Sequence, residues 1–150
     1  AAIQSGTYDH VRLNLANGDM VGHTGDLRAA RLAMSAVDLC VHRLVRAVQQ
    51  AEGVLIITAD HGNVDRMWMR AKDGSTQRSA DGTPVPHMAH TLAPVPVVLI
   101  DPTGLRILQA APDAGIASLG TTILNLCGLS SPDGYVEGLA ITRPDWEATS

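Results

Sequence analysis

Val54-Leu55-Ile56-Ile57 is a short continuous apolar run, followed at once by Thr58-Ala59-Asp60-His61-Gly62-Asn63. An uninterrupted run of this length predicts a buried, parallel β-strand. A carboxylate and an imidazole then stand side by side at the point where that strand would end. In open α/β sheets the crevice beyond the carboxyl ends of strands is where ligands bind. An Asp beside a His in an apolar scaffold is costly unless compensated, and a metal ion is the usual compensation.

Other stretches supply comparable strand ends. Val11 to Ala16 alternates apolar and polar, as a strand does. Asn17-Gly18 reads as a turn, and Asp19 to Gly25 as a loop with Thr24 or Asp26 as the next helix cap. Leu27, Ala30, Met34, Val37, Val41, Leu44 and Val48 then fall at helical spacing, with Arg28, Arg31, Asp38, Arg43 and Arg46 on or beside the opposite face. Glu52-Gly53 closes this helix at about Ala51, in the way glycine commonly does. Between Asp60 and Pro94 the chain shows almost no periodicity, and loops that long inside a domain are usually functional or mobile. Val95 to Ile100 predicts a third strand, with Pro96 at its start or on an edge. A turn or exposed hairpin is expected over 105–114, a helix over Leu119–Leu126 ended by Gly128, and an irregular tail from Ser130. No internal repeat is evident. The order strand, helix, strand, loop, strand, helix describes an α/β layered fold with a mostly parallel sheet.

Composition narrows the partners. The 150 residues make one domain's worth of chain, long enough to bury a core. A net charge of -4 argues against nucleic acid or anionic membranes. No run of about 18 apolar residues predicts a membrane span, and the first residues lack a signal-like pattern. Cys40 and Cys127 stand in apolar company and read as buried thiols of a reducing cytoplasm rather than a disulfide. Phe is absent, so the core must be Leu, Val, Ile, Ala and Met.

Taken singly, each polar pair has a bland reading. Asp19 and His23, four apart with Gly22 between them, are by themselves a chance pair on a loop more often than a metal site. Asp60 and His61, as neighbours on a strand end, point different ways and suit two ions. Of His87 and His90, the one nearer the strand, His90, is the better candidate, and His87 reads as a solvated loop residue. His10 and His42 read as structural. Jointly, three strand ends present Asp19/His23, Asp60/His61 and His90. Five mixed oxygen and nitrogen ligands exceed what one catalytic zinc takes. They suit a pair of divalent ions about 3.5 to 4 Å apart, as in phosphoryl chemistry. The lack of a Cys ligand favours manganese or magnesium, with zinc as an alternative.

Three blocks also carry a family resemblance. Asn14 to Gly25 resembles the N-F-A-N-x-D-M-V-G-H-T-G block of cofactor-independent phosphoglycerate mutases. Ala59 to Asn63, with Met67, is similar to that family's A-D-H-G-N-A-E-x-M block, and Ala89 to Pro96 to its A-H-T-x-N-P-V-P block. The blocks occur in the family's order. A-D-H-G alone is shared by the wider alkaline-phosphatase superfamily. Leu119 to Leu129 is similar to the family's closing helix.

The resemblance implies an alkaline-phosphatase-like α/β fold holding two manganese ions. Asp19, His23 and His90 would hold one, and Asp60 and His61 would contribute to the other. In that family an Asp and a nucleophilic Ser complete the second site. The Ser carries the phosphoryl group while 3-phosphoglycerate and 2-phosphoglycerate interconvert. Both residues come from the family's N-terminal segment, and the substrate-clamping arginines come largely from an inserted domain. No Ser here matches that motif: Ser5, Ser35 and Ser79 read as a terminus, a helix residue and a loop residue. Residues 1–150 are therefore expected to be the C-terminal segment of the phosphatase-type domain, inactive alone and prone to self-association through an exposed sheet edge. Leu15 stands for an aromatic, Gly18 for a Pro and Asp65 for a Glu, and the stretch from Met69 to Met88 is longer than usual. None of these removes a ligand. Another phosphatase or phosphomutase of the superfamily, or a non-catalytic metal-binding module, are the alternatives.

Overall fold

The computed structural model describes residues 1–109 and 114–142, which form two compact units. The first comprises Ala1–Ala51 and Thr58–Val97. The second comprises Glu52–Ile57 and the described part of Val98–Ser150.

Three features organise the first unit: a short helix α1 (Asn17–Gly22), a long helix α2 (Leu27–Gln50) and an extended loop region. The α2 spacing carries through from the sequence. Asp26 caps it, its carboxylate accepting from the backbone N–H of Arg28 and Ala29, which would otherwise have no partner. Thr24 does not cap; its hydroxyl donates to Val21 O and accepts from Asp26 N. Ala30, Ala33 and Val48 are buried on the inner face of α2, while Met34 is exposed. At the far end the left-handed residue is Glu52, with φ 52°, and not Gly53.

α1 replaces the expected turn and loop. Its Asn17-Gly18 start is weakly helical by propensity, but α1 packs on α2. A β-carbon at Gly18 would lie 2.9 Å from Met34 Sδ, so glycine permits this approach. The expected strand over Val11 to Ala16 does not form. Alternation alone makes no ladder; this segment has no neighbouring strand to bond to, and Val11 and Leu13 are exposed.

The stretch between Met67 and His87 folds on itself in two tight reversals. Met69 N donates to Val85 O, Gln77 N to Met69 O and Val85 N to Gln77 O, so three short segments lie side by side. The reversals are the same device twice, built on Arg-x-x-Asp-Gly-Ser/Thr at 70–75 and again at 78–83, a short repeat contrary to the expectation of none. In each, an arginine donates to the carbonyl of a left-handed glycine, Arg70 to Gly74 O and Arg78 to Gly82 O. In each, an aspartate accepts from the backbone and hydroxyl two residues on, Asp73 from Ser75 and Asp81 from Thr83.

In the second unit the expected strands shorten. β1 (Leu55–Thr58) pairs with β2 (Val97–Ile100), each reaching the first unit with one residue. Leu55 to Ile57 are half-buried rather than buried, because a two-stranded sheet covers each strand on one edge alone. Pro96 stands just before β2. β3 (Ile107–Leu108) makes no local hairpin; it pairs antiparallel with β4 (Ile141–Thr142), so part of the tail is a strand. Residues 110–113 of the expected turn lie outside the described residues. The sheets are thus small, and the one between β3 and β4 is antiparallel.

Helix α3 (Ser118–Leu126) matches the spacing and ends in left-handed Gly128. Hydroxyls hold the tail to it: Thr121 Oγ1 donates to Val136 O, and buried Thr122 Oγ1 accepts from Leu139 N. Cys40 and Cys127 are free, and exposed instead of buried. Among the described residues the buried apolar side chains are few: Ala30, Ala33, Val48 and Met67. No described helix is long and apolar enough to cross a membrane.

Candidate metal centre

α1 carries Asp19, and His23 caps its C-terminus four residues on. That spacing stacks the two side chains one helical turn apart on one face. His23 Nε2 lies 3.1 Å from Asp19 Oδ1. His90 arrives from the other end of the loop region. Thr91 N donates to Gly62 O at 2.8 Å, laying the His90 segment along the Asp60-His61-Gly62 loop. His90 Nε2 is 3.1 Å from Asp19 Oδ1 and 3.2 Å from His23 Nε2. Among the described residues these three form a group whose ligand atoms all lie within 4.8 Å of one another.

The donor chemistry fits a cation. His23 Nδ1 lies 2.6 Å from Met88 O. A carbonyl only accepts, so Nδ1 carries the hydrogen, and in the neutral ring Nε2 keeps its lone pair toward Asp19. Two nitrogens bound to one ion at about 2.1 Å are about 3.0 Å apart at an octahedral angle and about 3.4 Å at a tetrahedral one. The observed 3.1 to 3.2 Å separations fall between these values. Asp19 is held below the usual carboxylate range, chiefly by the hydrogen bond from Asn63, opposed by desolvation and assisted by His23, His90 and His61.

The other two sequence candidates stand differently. His61 stacks on His90, with centroids 3.6 Å apart, and its Nε2 is 3.9 Å from Asp19 Oδ1. Asp60 Oδ1 is 3.6 Å from His61 Nε2, but the Asp60 side chain is 90% exposed. Asp60 and His61 therefore neighbour each other without forming a three-donor group of their own among the described residues. His87 is half-buried, not solvated, and its Nδ1 is shielded from water with no partner among the described residues. His10 and His42 are exposed.

Of the residues that brace the three donors, the family resemblance assigned only Asp65 a supporting role behind the ligands, and sequence reasoning assigned none to Asn63 and Thr91. Asn63 donates to Asp19 Oδ1 at 2.7 Å. Asp65 accepts from Thr91 Oγ1 with both oxygens, at 3.1 and 3.0 Å, which secures the segment bearing His90. Gly62 leaves room for this: a β-carbon there would overlap Thr91 Oγ1 and come within 2.6 Å of Asp65 Oδ1. Adjacency to the ligands and membership of the family-like blocks were the signals these residues offered.

An acid and two imidazoles converging in this way could hold a divalent metal ion. The chain belongs to the Metalloenzyme superfamily, whose model matches residues 1–131. Within it the chain is similar to 2,3-bisphosphoglycerate-independent phosphoglycerate mutases. It is 46% identical to that of Trypanosoma brucei brucei over 142 residues, which cover 92% of this chain and 26% of the relative. It is 40% identical over 141 residues to a probable mutase of Arabidopsis thaliana, covering 92% and 25%. A Leishmania mexicana phosphoglycerate mutase, crystallised at low cobalt concentration, superposes with a TM-score of 0.87 at 42% identity, over 95% of this chain and 26% of that one. The chain spans about a quarter of the length of the curated relatives it matches.

Proposed function

We propose that this chain is the C-terminal part of the metal-binding domain of a phosphoglycerate mutase that interconverts 3-phosphoglycerate and 2-phosphoglycerate without a bisphosphoglycerate cofactor. The observation that carries the reading is the convergence of Asp19 Oδ1, His23 Nε2 and His90 Nε2 at 3.1 to 3.2 Å. Relatives of that name aligned across about nine-tenths of the chain support it.

In this reading Asp19, His23 and His90 hold one divalent cation, and Asp60 and His61 contribute to a second. Resemblance to the mutase family points to manganese, with zinc or magnesium as alternatives, since the carboxylate suits hard ions and the imidazoles suit zinc. Bound there, such ions would neutralise phosphate oxygens and acidify a hydroxyl. The chain's own residues orient the ligands. Met88 O fixes the His23 tautomer, Asp65 and Thr91 hold the His90 segment, and the stacked His61 ring confines His90. The nucleophilic serine, the remaining ligands of the second ion and the arginines that clamp substrate would come from other parts of the enzyme. The surrounding architecture in the intact enzyme would be the alkaline-phosphatase-like layered fold, with the β1–β2 pair continued into a parallel sheet. Free, exposed thiols suit a cytoplasmic setting.

The test is a graft. Residues 1–131 of this chain replace the aligned quarter of the Trypanosoma brucei brucei mutase, and turnover of 3-phosphoglycerate is followed. The chimera is expected to be active, its Asp19→Ala version inactive, and this chain alone inactive. A folded, manganese-loaded chimera without turnover, or turnover by this chain alone, would overturn the proposal.

A further inference from the structure

Resting on that metal centre, we infer that Asn63 is a positioning residue for it. Its amide turns the Asp19 carboxylate so that one oxygen faces the cation, while leaving the carboxylate's charge intact. Asn63 is 6% exposed, and its Nδ2 donates to Asp19 Oδ1 at 2.7 Å and reaches Asp19 O at 3.4 Å. The orientation of the amide follows from chemistry, since turned over it would set its oxygen against a carboxylate oxygen.

Two observations separate this from a loop merely glued to a helix. The first is the wall behind the amide. Gly22, the residue before His23, has no side chain where Asn63 sits; a β-carbon there would overlap Asn63 Oδ1 and lie 2.8 Å from its Cγ. The helix that presents Asp19 and His23 is therefore shaped around the amide. The second is the other end of that amide. Among the described residues the buried Asn63 Oδ1 has no hydrogen-bond partner, which costs stability and so points to a group kept for another task.

The residue type fits the role. Lys or Arg could make the same contact, but would offset the negative charge that the cation needs. Asp would repel Asp19. A neutral donor orients the acid and leaves its charge for the ion. Groups that hydrogen-bond a metal ligand in this way typically change affinity ten- to a hundredfold when removed.

The experiment is calorimetric titration of manganese into the full chain, its Asn63→Ala and Gly22→Ala variants and the double variant. The visible spectrum of the cobalt-loaded proteins reports coordination geometry, and metal-free thermal unfolding checks the fold. Asn63→Ala is expected to weaken manganese binding about ten- to a hundredfold and to alter the cobalt spectrum. Gly22→Ala, which keeps Asn63 but displaces it, is expected to weaken binding similarly, and to add little in the Asn63→Ala background. Should Asn63→Ala fail to fold, Gly22→Ala carries the test alone. Unchanged affinity and spectrum in folded variants, or fully additive losses, would overturn the role of Asn63 and leave the proposed function standing. No manganese uptake by the unsubstituted chain would overturn the metal centre, and the role with it.

Discussion

Asp65 and Thr91 stand 26 positions apart in the chain, yet they decide where His90 goes. The ligand candidates were legible because Asp and His are the residue types that hold hard cations, and because their neighbours form recognisable blocks. The braces were not. Asn63 reaches Asp19 across 44 positions, and no local pattern encodes such a meeting. Asp60 differs: adjacency to His61 in sequence does not say which way its carboxylate points, and its side chain is 90% exposed. A direct consequence concerns Gly62. Gly62→Ala would force Thr91 and Asp65 apart, so about 1–3 kcal/mol of stability should be lost, as in other overpacked sites. Urea unfolding checks this; a loss under half a kilocalorie would mean that the Thr91–Asp65 brace yields easily.

Among the elements, α2 was the most legible, because 24 helical residues give an apolar stripe time to repeat. α1 was missed because six residues opening on Asn-Gly carry too little helical signal, and its packing on α2 decides the matter instead. Val11 to Ala16 was misread because alternation is necessary for a strand but a partner is equally necessary. Asp26→Ala should cost about 1 kcal/mol through the lost cap, measurable by denaturant titration. The paired turns make a further expectation. Hydrogen bonds from Ser79, and from the amide and hydroxyl of Thr83, hold Asp81 down at about 2, below its ordinary 3.8. A depressed carboxylate pKa contributes stability that is present above 3.8 and is lost as pH falls through about 2. The turn around Asp81 should therefore stay ordered at pH 4 and loosen between pH 4 and 2, as followed by the Asp81 side-chain carbon resonance. A midpoint near 3.8 would show that these bonds do not hold in solution.

For the whole chain, length allowed a buried core, and the described residues form a small one. Among the described residues four buried apolar side chains contrast with exposed Leu32, Leu39, Met20 and Leu92, and β1 and β2 each leave one edge unpaired. Apolar surface and open strand edges favour association. Sedimentation velocity over a range of concentrations should show the sedimentation coefficient rising; a constant monomer value would remove that expectation. The central claim concerns one cation held by three residues. Anomalous diffraction at the manganese edge, on crystals of the full chain grown with manganese, tests it most directly. One peak is predicted about 2.0–2.2 Å from each of Asp19 Oδ1, His23 Nε2 and His90 Nε2. Manganese bound elsewhere, with no peak among these three atoms, would contradict the account.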